Sequence, residues 1–367
     1  MAASRFIYCK PPALIGPENQ MQPGIPMFSN FFKLYGRWVL PIDRTGTITT
    51  PVRSLSLFPV PELRPFTKTY EDVCNERARA VLAHAEKLDT DMHIFWSGGI
   101  DSTCLLVSLL KNATPAQKKR IVVLLSHESI MEYPDFFDRH IRGNLRAESS
   151  TIFPYFLGGK SFILSGENND QVMGSDKVGK LVLRYGASAI HKPYKRELFF
   201  EFFGESFGND AVITDFYLDL FERLRDAAPV PLRTNFEYLW WINFALKWQA
   251  VFAYTLMFTA QRNAKKITRE YIGTNYMSFY NTDDFQLWSL NNLDKRIQDT
   301  WPSYKWVAKD VIYDFTKDAE YRDKKTKKGS RAFITRQQTA YNFLDEDLQF
   351  SNDLPPESYL RPDNDFA

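Results

Sequence analysis

The run from His93 to Leu110, His-Ile-Phe-Trp-Ser-Gly-Gly-Ile-Asp-Ser-Thr-Cys-Leu-Leu-Val-Ser-Leu-Leu, constrains the fold more than any other stretch of the chain. A short apolar run ends in Ser97-Gly98-Gly99-Ile100-Asp101-Ser102-Thr103, and a second apolar segment continues from Cys104 to Asn112. That order predicts a buried strand, a tight turn and the first turn of a helix. Small residues let the backbone come close to a ligand, and free N–H groups at a helix start favour an anion. A phosphate is the expected occupant. The competing reading is a strand-to-helix turn with no ligand at all.

Two further apolar runs extend the pattern. Arg120-Ile-Val-Val-Leu-Leu-Ser126 and Ser161-Phe-Ile-Leu-Ser165 read as buried strands, and Pro134 opens a helix through about Leu145. Upstream, Thr69 to Leu88 has helical period with Thr69 as its cap. Strands alternating with helices at this spacing predict an α/β fold with a parallel, doubly wound sheet. Ligands of such sheets sit beyond the C-terminal ends of the strands, where Ser97, Ser126 and Ser165 all fall.

The remainder is read more coarsely. Residues 1–68 are Pro-rich and suggest a small β-containing lobe or arm, with short strands at Arg37–Pro41 and Thr45–Thr50 around a turn at Asp43-Arg44. Residues 69–190 form the α/β part. From about His191 no further sheet strand is expected: Glu197–Phe207, Ala211–Ala227, Asn235–Gln261, Thr268–Tyr271, Trp288–Thr300 and Lys305–Tyr313 read as helices, making 191–350 a helical substrate domain. The tail, 351–367, reads as extended and exposed.

Composition narrows the class. With 44% hydrophobic and 25% charged residues the 367-residue chain is that of a soluble globular protein, and a net charge of +2 implies no general affinity for nucleic acid. Cys9, Cys74 and Cys104 are too scattered for a disulfide framework or a zinc site, which fits a reducing, cytoplasmic compartment. The N-terminus lacks the apolar core of a signal peptide. Tyr238 to Phe258 is rich in Trp, Phe, Leu and Ala, but Asn243, Lys247 and Gln249 interrupt it, so a buried helix is expected there and not a membrane span. Self-association stays open.

A second polar constellation, Ser165-Gly166-Glu167-Asn168-Asn169-Asp170-Gln171, follows the third apolar run and opens a helix. Glu167 and Asp170, three apart, are expected to share one side of a helical turn. Beside a polyphosphate, Asp170 suits a magnesium ligand alongside Asp101, and Glu167 suits a substrate positioner or base. The alternative use of both acids is to complement the helix macrodipole. Gly158-Gly-Lys-Ser161 looks like the end of a Walker A loop, but Pro154 stands where a Gly is required and a strand follows in place of a helix. No Gly-x-Gly-x-x-Gly fingerprint occurs.

The Ser97 loop resembles the pyrophosphate loop, Ser-Gly-Gly-x-Asp-Ser, of the adenine-nucleotide α-hydrolase (PP-loop ATP pyrophosphatase) superfamily. Together with Ser165–Asp170 it is similar to the synthetase domain of asparagine synthetase and the related β-lactam and carbapenam synthetases, whose second motif is Ser-Gly-Glu/Ala-Gly-Ala/Ser-Asp-Glu. The resemblance implies ATP and Mg²⁺. Ser97, Gly98, Gly99, Asp101 and Ser102 would hold the phosphates, Leu125 and Ser126 would flank the adenine, and Ser165 and Gly166 would also belong to the ATP site. Asp101 and Asp170 would carry the metal, and Glu167 would act on the substrate. Lys305-Trp-Val-Ala-Lys309 is similar to the family's Lys-x-x-Leu-Arg helix, which gives Lys305 the role of countering charge on pyrophosphate. By its sequence position alone, a lysine opening an amphipathic helix is ordinarily solvated. The basic run Lys324 to Arg331 reads either as a solvated loop or as a mobile lid over the nucleotide.

The implied reaction is adenylation of a small-molecule carboxylate, followed by attack of ammonia or an amine to form an amide. Several departures shape that expectation. Asn168 and Asn169 replace small residues, and Gln171 replaces an acid. The family's Asp-Arg-x-Ser-Met-Ala motif is missing from Glu237–Arg262, so aspartate is not implied as the substrate. Ala2 follows Met1 where the family's glutaminase carries Cys, and the first 90 residues are too short for that domain, so the nitrogen is expected from free ammonia, a separate amidotransferase or the substrate's own amine. Two rivals remain: a nucleobase- or tRNA-modifying relative, since Asp170-Gln171 is similar to a run in tRNA-lysidine synthetases, and a non-catalytic nucleotide-binding protein on the same fold.

Overall fold

The computed structural model describes residues 4–35, 40–254, 266–327, 343–345, 347, 350–351 and 354–367. Expectations that fall on 37–39, on 255–261 and on 328–331 lie outside them. Eight strands occur among the described residues: β1 (Phe6–Cys9), β2 (Met92–Phe95), β3 (Ile121–Leu125), β4 (Arg146–Ser149), β5 (Phe162–Ser165), β6 (Tyr276–Ser278), β7 (Phe343–Asp345) and β8 (Phe350–Ser351).

Five of these form one parallel sheet in the order β4-β3-β2-β5-β6. Met92 lies opposite both Ile121 and Phe162, so the three inner strands start level. All four residues of β2 and of β5 are buried, and so are the first four of β3, as expected of parallel strands covered on both faces. The chain moves outward from β2 through β3 to β4, then returns to lay β5 on the other side of β2. The order therefore reverses between β2 and β5, and a crevice opens outside the C-terminal ends of adjacent strands at such a reversal.

Two strands of this sheet were not foreseen. β4 is Arg-Ala-Glu-Ser at an edge, largely exposed, with Arg146 bonded to Asp91 at 2.6 Å. Charge on an edge strand discourages pairing with other chains, but it also erases the apolar signal. β6 is three residues long and lies within the region read as wholly helical. It pairs with β5 from Ile163–Tyr276 to Ser165–Ser278, which corrects that expectation.

The chain divides into two compact units, each discontinuous in sequence, where the sequence reading drew contiguous blocks. One unit combines Leu63–Met173 with Arg269–Gln337 and contains the parallel sheet. In it, helix Tyr70–Lys87 packs on helix Ile100–Asn112, and helix Trp306–Thr316 packs on both. Thr69 caps the first through a reciprocal box with Asp72. Residues Ser102 to Leu110 are buried without a break, because neighbours cover that helix on several sides. The helix opened by Pro134 is short: Pro134–Phe136 is followed by a wider π turn ending at Ile141. The stretch read as Trp288–Thr300 instead begins at Asp283, capped by Thr282, and ends at Asn291.

The other unit combines Met1–Glu62, Gly174–Thr268 and Gln338–Ala367, and holds the antiparallel sheet β1-β7-β8. Helix Asn235–Tyr254 is buried along nearly its whole length. The polar residues that interrupt its apolar run are paired: Asn243 donates to Gly174 O at 2.7 Å, and Gln249 accepts from Leu57 N and donates to Leu55 O, both at 2.6 Å. Among the described residues no helix is long and apolar enough to cross a membrane. Thr45–Thr50 is not a strand. The segment folds around Asp43, which accepts from Thr45 N at 2.8 Å and Ile48 N at 2.7 Å. The end of the chain is not a free tail either. Tyr359, Leu360 and Phe366 are buried, and Arg361 N and Asp365 N donate to Pro51 O and Thr49 O at 2.6 and 2.9 Å.

Candidate functional site

The loop after β2 is built on glycine and serine. Gly98 has φ +72°, and a Cβ there would stand 2.4 Å from Ser129 O, so both backbone and space exclude a side chain. Ser102 Oγ accepts from Ser97 N at 3.0 Å and donates to Gly99 O at 3.2 Å, which closes the turn on itself. Gly99 N donates to Ser97 Oγ at 3.3 Å. Helix Ile100–Asn112 starts at Gly99 with no capping side chain. Backbone N–H groups at such a start suit a phosphate.

The loop after β5 lies against it. A Cβ on Gly166 would stand 3.3 Å from Ser102 Cα and N, tighter than an ordinary contact, so a side chain there would press the two loops apart by a few tenths of an ångström. Ser165 is buried, and its Oγ has no hydrogen-bond partner. Buried hydroxyls in that condition are uncommon and mark a place where a ligand group could bond. Asn168 adopts φ +73°, a left-handed conformation that Asn tolerates better than most side chains. The helix begins only afterwards, at Asn169. Glu167 therefore precedes the helix and does not share a helical face with Asp170, contrary to expectation. Its carbonyl accepts from Ser278 Oγ of β6 at 2.7 Å.

The two loops are joined by charge. Lys305 Nζ lies 2.7 and 2.6 Å from the Asp101 carboxylate oxygens and 2.6 Å from Asp170 Oδ1. Lys327 pairs with the other Asp170 oxygen. Burial would push the Asp170 carboxyl up, but the charges and hydrogen bonds of Lys305 and Lys327 outweigh it and hold the group well below the usual carboxylate range. Lys305 is 1% exposed, so it is not the solvated lysine that its sequence position suggests. It precedes helix Trp306–Thr316 in a left-handed conformation, φ +61°, and its N–H donates to Arg296 O at 2.7 Å. A non-glycine residue so placed is strained, and such strain concentrates at functional sites.

Further residues complete the arrangement. Asn169 Nδ2 donates to Asp101 Oδ1 at 2.6 Å, and Tyr280 Oη donates to Asp101 O at 2.8 Å. Tyr321 Oη donates to Gly98 O at 3.4 Å, its ring stacked on Tyr133 with centroids 3.9 Å apart. Lys325 pairs with Glu132, whose Cβ lies beside Gly98. Of the expected basic lid, then, Lys325 and Lys327 meet acids flanking the loop. Arg322 and Lys324 pair with Asp323 and Glu320, while 328–331 lie outside the described residues. Sequence reasoning missed Tyr280 as a neighbour of Asp101, because no local signal ties residues 179 positions apart. Asn169 had a signal, its departure from the resembled motif. Leu125 ends β3, and Ser126, which follows it, caps helix His127–Glu132.

The acids fit a magnesium ion in chemistry. Asp101 and Asp170 present hard oxygen donors around one shared ammonium. Among the described residues no group of three or more His, Cys, Asp or Glu could hold a metal. Magnesium bound there would complete its shell with phosphate oxygens and water, its usual manner in nucleotide sites.

Sheet and site together define an α/β protein with a five-stranded, all-parallel, Rossmann-like sheet, whose Gly-Ser loop and paired acids lie at the C-terminal ends of β2 and β5. No protein-family model matches the chain, and no curated protein is significantly similar to it.

Proposed function

We propose that the protein is an ATP-dependent carbon–nitrogen ligase of the asparagine-synthetase-like kind. ATP would lie on the Ser97–Ser102 loop, a carboxylate substrate would be adenylated with release of pyrophosphate, and an amine or ammonia would complete an amide. The observation that carries this reading is the bridge of Lys305 between Asp101 and Asp170, which joins two motifs 69 residues apart in sequence (170 − 101) at one sheet reversal.

In the reaction, a substrate carboxylate oxygen attacks the α-phosphorus, and the α–β P–O bond breaks with its electron pair leaving on pyrophosphate. The amine then attacks the acyl carbon, loses a proton, and AMP departs. Backbone N–H groups of Ser97–Ser102 would hold the β- and γ-phosphates, and the Ser165 hydroxyl is free to add a bond. Lys305 and Lys327 would turn from carboxylate to pyrophosphate oxygens as charge develops there, a contribution of positioning and electrostatics. Magnesium, held by Asp101 and Asp170, would neutralise phosphate charge. Glu167, outside the helix and next to Gly166, is the group nearest in sequence for orienting the acceptor or taking the amine proton.

The test has two stages. Calorimetric titration with α,β-methylene-ATP and Mg²⁺ should show binding to a single site, and its absence sinks the nucleotide reading. Pyrophosphate release across a panel of carboxylates and amines, with and without RNA, should then find a small-molecule pair that supports turnover. Release only with RNA would favour the tRNA-modifying rival, and binding without release a non-catalytic one.

A further inference from the structure

The carboxylate of Asp101 is gripped by Lys305, yet in the reaction proposed above that lysine must turn toward phosphate. Something else has to keep the acid in place. Asn169 is fully buried, and its side-chain amide spans two groups from different elements. Nδ2 donates to Asp101 Oδ1 at 2.6 Å, and Oδ1 accepts from Tyr70 Oη at 2.8 Å.

Chemistry fixes the sense of this chain of bonds. An ionised carboxylate only accepts, so the amide nitrogen faces Asp101, the amide oxygen faces Tyr70, and the phenol donates. Tyr70 is itself locked, its ring 4.9 Å from Trp288 and 5.7 Å from Phe285 by centroid, and buried. On the main-chain side Tyr280 holds the Asp101 carbonyl. The amide carries no charge, so it can stay bonded to Asp101 whether Lys305 faces the acid or a phosphate.

We propose that Asn169 is a positioning residue that sets the Asp101 carboxylate for metal–polyphosphate binding, with Tyr70 fixing the orientation of its amide. The inference rests on the function proposed above. Groups that orient a metal-binding side chain without touching the metal tune affinity by about 10- to 100-fold, which is the scale expected here.

The experiment measures Mn²⁺ affinity by electron paramagnetic resonance with α,β-methylene-ATP present, for the wild type and for Asn169→Ala, Asn169→Asp and Tyr70→Phe, with thermal unfolding alongside. Asn169→Ala should weaken Mn²⁺ by about 10-fold or more. Asn169→Asp, though the same shape, should be at least as weak, because an ionised carboxylate cannot donate to Asp101 and repels it. Tyr70→Phe should lose a smaller factor, and adding it to Asn169→Ala should cost nothing more. A packing role predicts the opposite order, with Asn169→Asp near wild type and Asn169→Ala worst, and that order overturns the proposal. So does unchanged affinity in Asn169→Ala, or tighter binding in Asn169→Asp. If both Asn169 variants fail to fold, Tyr70→Phe decides: affinity equal to wild type overturns it. A wild type that binds neither nucleotide nor Mn²⁺ defeats the proposed function itself, whereas variants that bind like a competent wild type defeat only this inference.

Discussion

Gly98 is where the loop after β2 has least freedom. Its left-handed φ and the Ser129 carbonyl at 2.4 Å from a would-be Cβ make Gly98→Ala unfavourable twice over. The backbone term alone costs about 1–2 kcal/mol; relief of the clash must in addition displace the loop, so urea unfolding should show at least that loss and nucleotide titration a larger one. Lys305 supports a second prediction. Lys305→Met leaves Asp101 and Asp170, both about a quarter exposed at the side chain, without their shared cation. The loss of stability should approach but not reach the about 3–5 kcal/mol of breaking a fully buried pair, since water screens the exposed part. The pH dependence follows in sign. Asp170 in the native protein titrates below its unfolded value, so its contribution to stability is fully present above the ordinary carboxylate range and is lost as pH falls from that range down through the lower native value. Without Lys305, burial acts on the group with one cation fewer, its carboxyl rises, and acid unfolding should begin at higher pH. If Asp101→Asn leaves pyrophosphate release within about tenfold of wild type, the acid is not holding charge in the transition state.

At the scale of elements, the ends of β2 and β5 do the positioning, and the helices that follow them fix direction. Thr69 begins the helix that carries Tyr70, through a capping box with Asp72. Thr69→Ala should cost about 1 kcal/mol in chemical denaturation and leave the sheet strands in place. What could be read in advance divides along physical lines. β2, β3 and β5 were visible because parallel strands covered on both faces read as unbroken apolar runs. The serine-glycine loops were visible because only those residues suit the geometry. β4 and β6 were hidden, one by edge charges and the other by having three residues. Thr45–Thr50 alternates like a strand, but local bonds to the Asp43 carboxylate outcompete a ladder. Glu167 and Asp170 have helical spacing, but Asn168 delays the helix until after the first of them. The burial of Lys305 could not be read locally at all, since its two partners lie 204 and 135 positions away.

At the scale of the molecule, buried lysines set a trend that a pH titration can read. Burial brings Lys177 and Lys309 down from 10.5 to about 8. Their folded values lie below the unfolded ones, so the unfolded chain holds more protons between those limits and stability should rise with pH there. Buried tyrosines oppose this at the alkaline end, so the measurement is a difference: wild type minus Lys177→Met, by thermal unfolding from pH 7 to 10, with the wild type gaining relative to the variant. The discontinuous unit that carries the parallel sheet has a consequence in time. β6 pairs beside β5, yet Tyr276 is made 111 residues after Ser165 (276 − 165). At about 5–20 residues per second, the ribosome leaves the outer edge of β5 without its neighbour for roughly 5–20 seconds. An apolar strand waiting that long is a template for wrong partners. Nascent chains stalled between those points should therefore bind chaperones strongly and release them once β6 has emerged.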